Sequence, residues 1–84
     1  MRLPGNTCDL RGMRVDEAID KVDRFLDTAM LDHHDAVFVL HGHGTGALKS
    51  AIRKWLRSCP HVARYAPANA DQGGDAFTVA VLSA

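Results

Sequence analysis

Apolar residues recur at intervals of three and four in two segments of the chain, which is the spacing of one face of an α-helix. The first segment predicts an amphipathic helix from about Val15 to about Leu31, with carboxylates in its first turn. The second predicts a helix that begins at Ala47 and is ended by Pro60. The apolar stripe expected to be buried on this second helix is Leu48, Ala51, Ile52, Trp55, Leu56 and Cys59.

Four other segments have the composition of β-strands. Residues 36–40, AVFVL, are β-branched and aromatic without alternation, which is typical of a strand buried on more than one side. Shorter strands are predicted at 7–10, 62–66 and 76–82, and the loop 67–74 is rich in Pro, Asn, Asp and Gly. The order β-α-β-α-β-β predicts a two-layer α/β sandwich with a four-stranded mixed sheet, in which crossovers join parallel strands and the last pair is antiparallel.

The composition fits one small folded domain. Of the 84 residues, 46% are hydrophobic and 24% charged, which is ordinary globular composition. We expect residues 1–6 to be a disordered leader and residues 7–84 to be the single domain. No apolar stretch approaches the ~20 residues of a membrane span, and no signal peptide is recognisable, so a cytoplasmic location is expected. Cys8 and Cys59 lack CxxC spacing and are expected to be buried free thiols.

The formal net charge is zero, but the charges are segregated along the chain. Residues 14–35 hold seven carboxylates and three cations, whereas residues 36–70 hold five cations and no carboxylate. This division either places a positive, phosphate-attracting face on a neutral molecule or merely solvates one helix with acids and the next with bases. The cations of interest on the second helix recur at i, i+4 and i+8: Lys49, Arg53 and Arg57.

The segment His41–Gly46, HGHGTG, leads from the 36–40 strand into the second helix. In α/β sheets, ligands gather outside the carboxyl ends of the parallel strands, and Asp9, Arg11, His41 and His43 all fall at that edge. The glycines let backbone N–H groups approach an anion that a helix N-terminus already favours. The sequence therefore predicts a phosphate site at this turn.

Known nucleotide motifs do not match the turn. The spacing is G-x-G-x-G with no acidic residue ~20 positions later, and Leu48 stands where the phosphate loop of nucleotide triphosphatases requires glycine, so neither NAD nor ATP is expected here. His41, His43 and Asp9 offer metal ligands, but no further ligand stands at a reliable spacing. A phosphodiester remains, for which His41 is either a general acid or base or a structural cap of the strand end.

Three motifs resemble the small MutS-related (Smr) domain family: DLRG at residues 9–12, HGHGTG at 41–46 and GGDAFTVAVL at 73–82. The resemblance covers nearly the whole chain and is greatest to the version at the carboxyl end of the second bacterial MutS paralogue. It implies a fold like the C-terminal domain of translation initiation factor three, and excision from a larger MutS-type protein. ATP would enter only through an ATPase region that is absent here.

The resemblance also implies an endonuclease that nicks DNA, with RNA cleavage in some relatives. It implies a site at Asp9, Arg11, His41 and the turn glycines, to which we assign roles: His41 as general acid or base, Arg11 neutralising a phosphate, and Asp9 orienting a catalytic group or binding Mg²⁺ or Mn²⁺. Arg11 stands where many relatives have histidine. The residues expected to bind phosphate are Gly42, His43, Gly44, Thr45 and Gly46, and those expected to track the nucleic-acid backbone are Lys49, Arg53 and Arg57.

Three functions are therefore open. The first is an endonuclease domain of a MutS paralogue in DNA repair or suppression of recombination, acting on DNA or branched DNA. The second is a non-catalytic module that binds DNA, or ribosomal RNA in the rescue of stalled ribosomes. The third is an interaction domain whose acidic first helix docks a protein. No membrane partner is expected, and oligomerisation is expected only of the full-length protein.

Overall fold

The computed structural model of the chain describes residues 4–44 and 46–83. Its helices and strands are, in order, a 3-10 helix at Pro4–Asn6, β1 (Thr7–Asp9), α1 (Val15–Leu31), β2 (Ala36–Leu40), α2 (Ala47–Arg57), β3 (Val62–Pro67) and β4 (Phe77–Leu82). Two further 3-10 turns, Ala70–Gln72 and Gly74–Ala76, lie between β3 and β4. The predicted element order is confirmed, with boundaries that differ by at most a few residues.

The four strands form one mixed sheet in the order β1-β2-β4-β3. Strand β1 pairs with β2 in parallel, and β4 pairs antiparallel with both β2 and β3. Because β4 opposes both of its neighbours, β1, β2 and β3 run in one direction and end at the same edge of the sheet. The predicted α/β sandwich is confirmed, and β4 lies in the interior of the sheet between β2 and β3.

The main core lies between the sheet and the two helices. The side chains that fill it are apolar and at most 2% exposed: Cys8, Leu10, Ala18, Val22, Leu26, Ala29, Val37, Val39, Ile52, Leu56 and Ala80. Helix α1 contributes four of them at helical spacing, as an amphipathic helix should. A second, smaller cluster joins Phe38 and Phe77, whose rings meet edge to face with centroids 6.5 Å apart, and Ala68.

Helix α2 is shorter and less deeply buried than its sequence pattern predicts. It ends at Arg57, three residues before Pro60. Only Ile52 and Leu56 of its apolar stripe are fully buried, while Leu48, Trp55 and Cys59 are half-buried and pack against the core from its margin. Cys59 is consequently a half-buried thiol, whereas Cys8 is buried as expected, and both are free.

The predicted disordered leader needs a correction at Pro4–Asn6. These residues form a 3-10 helix that leads directly into β1, and Asn6 is only 7% exposed. Residues 1–3 lie outside the described part of the chain. Within the described part, no helix combines the length and the apolar character that crossing a membrane requires.

Candidate functional site

The DLRG segment and the HGHGTG turn lie side by side at the carboxyl edge of β1 and β2. Asp9 is opposite Leu40 in the parallel register, and the Leu10 N–H donates to the Leu40 carbonyl at 2.8 Å. The two segments therefore leave the sheet from neighbouring strands, DLRG from β1 and HGHGTG from β2. A cleft of about 290 Å³ opens here, lined by residues 12–15, 41–44 and 46–49.

Asp9 and Arg11 form a two-armed ion pair at this edge. Arg11 donates from Nε to Asp9 Oδ1 at 3.1 Å and from Nη2 to Oδ2 at 2.8 Å, and its backbone N–H donates to Oδ1 at 3.0 Å. The side-chain hydrogen bonds from Arg11 are the main reason that the pKa of Asp9 is lowered to about 2, with its backbone N–H and Lys21 adding to the effect. Both side chains remain accessible, with 49% of Asp9 and 63% of Arg11 exposed.

Gly42 lets the Arg11 side chain lie close against the turn. Its φ of 78° is in the left-handed region that favours glycine, and a Cβ added there would meet Arg11 Cγ at 3.4 Å. The N–H groups of His41 and Gly42 both donate to the Ala76 carbonyl, at 3.1 and 3.0 Å. The turn is thus held from one side by the segment that precedes β4 and covered on another by Arg11.

His41 is buried, and both of its ring nitrogens have partners within the protein. The residue is only 5% exposed. Its Nδ1 lies 2.9 Å from the Gly42 carbonyl oxygen, and its Nε2 lies 2.8 Å from Thr78 Oγ1. A carbonyl oxygen can only accept, so Nδ1 carries the proton and Nε2 accepts from the Thr78 hydroxyl. Arg53 Nε donates to the same hydroxyl oxygen at 2.8 Å, which directs the Thr78 proton towards His41.

The surroundings of His41 favour its neutral form. Burial is the largest cause that lowers its pKa below the usual 6.5, and the positive charges of Arg53 and Lys49 act in the same direction. The hydrogen bond to Gly42 and the charge of Asp75 oppose this shift without reversing it. At neutral pH, His41 is therefore an uncharged imidazole with one fixed tautomer, the arrangement expected of the structural cap.

Asp75 brings a carboxylate to the basic helix α2. Lys49 Nζ donates to Asp75 Oδ2 at 2.5 Å, and Arg53 Nη2 donates to Oδ1 at 2.9 Å. The hydrogen bonds from Lys49 and then Arg53 lower the pKa of Asp75 to about 2. The predicted basic face is therefore partly neutralised by a residue that lies beyond the basic stretch in sequence.

The remaining predicted residues lie around this centre. His43 and Gly44 are exposed at the cleft, and Thr45 lies outside the described residues. Arg57 is exposed further along α2, with Nε 3.5 Å from Tyr65 Oη. A larger cleft of about 350 Å³ lies between Leu82 and the residues around His33, away from the DLRG segment and the HGHGTG turn.

The described residues do not form a set of metal ligands. Among them, no three His, Cys, Asp or Glu side chains come together to hold an ion. Asp9, the predicted candidate, directs both carboxylate oxygens to Arg11.

Sequence inspection missed Asp75 and Thr78, which complete the polar network. Thr78 is the one hydroxyl in the apolar run FTVAVL and is 0% exposed, so a polar partner in the core was required. Asp75 follows two glycines in a loop and is separated from Lys49 by 26 residues. Only the position of β4 beside β2 reveals that these residues belong to the site.

Comparison with known proteins gives one consistent family. The sequence model of the Smr domain matches residues 8–83. The chain is 48% identical over 75 residues to the Endonuclease MutS2 of Leuconostoc citreum and 46% identical over 74 residues to that of Anaeromyxobacter sp.. These alignments cover 89% and 88% of this chain but only 9% of each relative, so the chain spans about a tenth of the length of these proteins.

Two solved structures have the same fold. The Smr domain of Thermus thermophilus MutS2 aligns with a TM-score of 0.91 and 40% identity, covering 94% of this chain and 99% of that one. The small MutS-related protein YdaL of Escherichia coli aligns with a TM-score of 0.93 and covers all of this chain and 69% of its own. At 22% identity, the second comparison speaks to the fold alone.

Proposed function

The chain belongs to the Smr domain family, and from that membership we propose that it is an endonuclease domain that nicks DNA. The observation that carries the proposal is the exposed Asp9–Arg11 ion pair beside the glycine turn, at the edge of the sheet where ligands of α/β folds gather. A phosphodiester that reaches this edge would meet the Arg11 guanidinium beside the Gly42 backbone. Its charge would be neutralised where it develops during cleavage.

Within this proposal, Arg11 contacts the scissile phosphate and Asp9 positions Arg11. The two side-chain hydrogen bonds to Asp9 use two of the five N–H donors of the guanidinium, which leaves donors for phosphate oxygens. Asp9 itself is a poor general base at neutral pH, because a pKa of about 2 means that it holds a proton very weakly. Its carboxylate instead fixes the plane of the guanidinium.

His41 would act as a general base only after its Nε2 exchanges Thr78 for a proton of the substrate or of water. In the described arrangement that nitrogen is 2.8 Å from Thr78 Oγ1 and the residue is buried. This observation favours a second candidate function, a nucleic-acid-binding module without catalysis, in which His41 shapes the turn. Such a module would bind DNA, or RNA in the setting of a stalled ribosome.

The relatives support the endonuclease, since both of those described above carry the name Endonuclease MutS2. The setting that we propose for it is DNA, including branched DNA, in repair or in suppression of recombination. The free thiols Cys8 and Cys59 suit the reducing cytoplasm. Comparing plasmid nicking in Mg²⁺, in Mn²⁺ and in EDTA tests whether a divalent ion assists cleavage.

The test is relaxation of a supercoiled plasmid by the purified domain in Mg²⁺, Mn²⁺ and EDTA. Asp9→Asn and Arg11→Lys should each abolish nicking. The first replaces one of the two accepting carboxylate oxygens with an NH2 group that only donates and removes the negative charge, and the second keeps the positive charge without the planar guanidinium. Asp23→Asn, an exposed carboxylate on α1, is the charge-matched control and should nick normally. Circular dichroism verifies that every variant is folded.

Nicking by the wild type separates the two candidate functions, and His41→Ala then tests the part of His41. If the wild type nicks and folded His41→Ala does not, His41 serves the reaction either directly or through the turn. A wild type that binds DNA in a salt-sensitive way but never relaxes the plasmid contradicts the endonuclease and leaves the binding module.

A further inference from the structure

Lys49 and Arg53 both donate hydrogen bonds to one carboxylate, that of Asp75. Both cations extend from the same face of α2, and their side chains are only 26% and 21% exposed. Asp75, which they share, is 47% exposed. The cations are thus held against the protein surface while their anionic partner stands on the solvent side.

The charges at this cluster do not balance. Two cations face one carboxylate, and Asp75 is ionised at every pH at which the protein would be studied, since its pKa is about 2. The nearest further residue of the network, His41, is neutral for the reasons given above. One positive charge therefore remains without a counterion inside the cluster.

The geometry around Asp75 suits the non-bridging oxygens of a phosphodiester. Each carboxylate oxygen accepts from a different cation, Oδ2 from Lys49 and Oδ1 from Arg53, as the two anionic oxygens of a backbone phosphate could. Arginine and lysine are also the side chains that contact phosphate most often in nucleic-acid complexes. The Asp75 carboxylate therefore occupies a position in which a backbone phosphate would also fit.

We propose that Lys49 and Arg53 form a subsite for one phosphate of the nucleic-acid backbone, and that Asp75 occupies this subsite until the phosphate replaces it. The proposal rests on the proposed function, since it requires that this edge of the sheet receive nucleic acid. It assigns to Asp75 a role as competitor, which sets how tightly the domain binds.

The subsite is preorganised, because Arg53 has a second anchor. Its Nε donates to Thr78 Oγ1 at 2.8 Å while Nη2 donates to Asp75, so Arg53 keeps one hydrogen bond when Asp75 leaves. Thr78 in turn bonds to His41 at the base of the turn. A phosphate bound at Lys49 and Arg53 would consequently lie at the cleft that is lined by Lys49 and the glycine turn.

The test compares Asp75→Asn with Asp71→Asn in binding to a fluorescently labelled DNA duplex, followed by anisotropy at fixed salt. The two variants remove the same charge from the same exposed loop, but among the described contacts no ion pair joins Asp71 to either cation. We expect Asp75→Asn to bind on the order of 5-fold more tightly than Asp71→Asn, the scale of one surface ion pair released from competition. Adding Lys49→Ala should remove most of this gain.

Two results would overturn the subsite. Equal affinities of Asp75→Asn and Asp71→Asn would mean that only the net charge matters, and weaker binding by Asp75→Asn would mean that Asp75 positions the cations instead of competing for them. Plasmid nicking by the same proteins distinguishes the two proposals: a wild type that nicks while Asp75→Asn gains no affinity contradicts the subsite alone. A wild type with neither salt-sensitive binding nor nicking contradicts the proposed function and the subsite with it. Circular dichroism of Asp75→Asn, and of Asp75→Ala as a second variant, excludes misfolding.

Discussion

Arg53, Thr78 and His41 form a chain of hydrogen bonds in which each proton has one possible place. Arg53 can only donate, Thr78 passes its proton on, and the Gly42 carbonyl can only accept from His41. The described part of the chain leaves no buried side-chain nitrogen or oxygen without a hydrogen-bond partner. Because the polar atoms of this network all have partners, replacing any one of its residues should lower the stability of the fold.

His41 should make stability depend on pH. Its pKa is lowered in the folded state, so below the ordinary value of about 6.5 the unfolded chain takes up a proton that the folded chain resists. Stability should therefore be fully present above pH 6.5 and fall as the pH is lowered towards the folded pKa. Urea unfolding between pH 7.5 and pH 5 would measure this, and His41→Gln should flatten the profile.

The same experiment needs a control histidine and a direct probe of the tautomer. His61→Gln, at an exposed position, should leave the pH profile of the wild type in place. Two-bond ¹H–¹⁵N spectra should report His41 protonated on Nδ1 and not on Nε2. A cationic His41 at pH 7 would contradict the assignment.

Thr78→Val should destabilise the fold although valine has nearly the same shape. The change leaves His41 Nε2 and Arg53 Nε without the partner that the fully buried Thr78 supplies, at a cost of about 1–3 kcal/mol. Urea unfolding gives the free energy of unfolding, and Thr28→Val on the exposed surface of α1 should change it by no more than about 0.5 kcal/mol. Equal changes in the free energy of unfolding for the two variants would mean that the Thr78 hydroxyl contributes no more to stability than an exposed hydroxyl.

At the scale of the elements, local patterns predicted where helices and strands lie but not which strands are neighbours. The 3.6-residue periodicity identified Val15–Leu31 correctly, because one face of α1 is buried from Ala18 to Ala29. Periodicity carries no information about strand order, so the position of β4 between β2 and β3 was not predicted. The residues that β4 and its preceding loop bring to the site, Thr78 and Asp75, were missed for that reason.

The depth at which α2 packs should be visible in a core truncation. Leu56 is 1% exposed in the main cluster, so Leu56→Ala should lower the free energy of unfolding by about 2–5 kcal/mol through lost burial and a residual cavity. Leu31 is 79% exposed at the end of α1, and Leu31→Ala is the matched control with an expected change within about 0.5 kcal/mol. A loss below 1 kcal/mol at Leu56 would mean that α2 is dispensable to the core.

At the scale of the whole molecule, residues from outside the acidic segment 14–35 and the basic segment 36–70 contact the cations of both. Asp75 returns a carboxylate to the basic helix, and Lys21 of the acidic helix donates to the Asp9 carbonyl at 2.8 Å. The Asp9, Arg11 and HGHGTG residues could be placed at one edge from sequence because parallel strands end together. The contacts of Asp75 with Lys49 and of Lys21 with the Asp9 carbonyl could not be predicted, because they join segments that are distant in sequence.

Arg57 offers the clearest test of the predicted nucleic-acid face, since it is exposed and has no carboxylate partner among the described ion pairs. If Arg57 contacts a backbone phosphate, Arg57→Ala should lower the slope of log K against log salt concentration for duplex DNA by about 0.9. Arg24→Ala removes the same charge from the acidic helix, where Arg24 pairs with Asp20 at 2.7 Å, and should leave the slope unchanged. Anisotropy titrations over a series of salt concentrations measure both slopes. Equal slopes for Arg57→Ala and the wild type would mean that the nucleic acid contacts the turn and the Lys49–Arg53 subsite but does not extend along α2 to Arg57. A lower slope for both Arg57→Ala and Arg24→Ala would mean that the slope responds only to net charge.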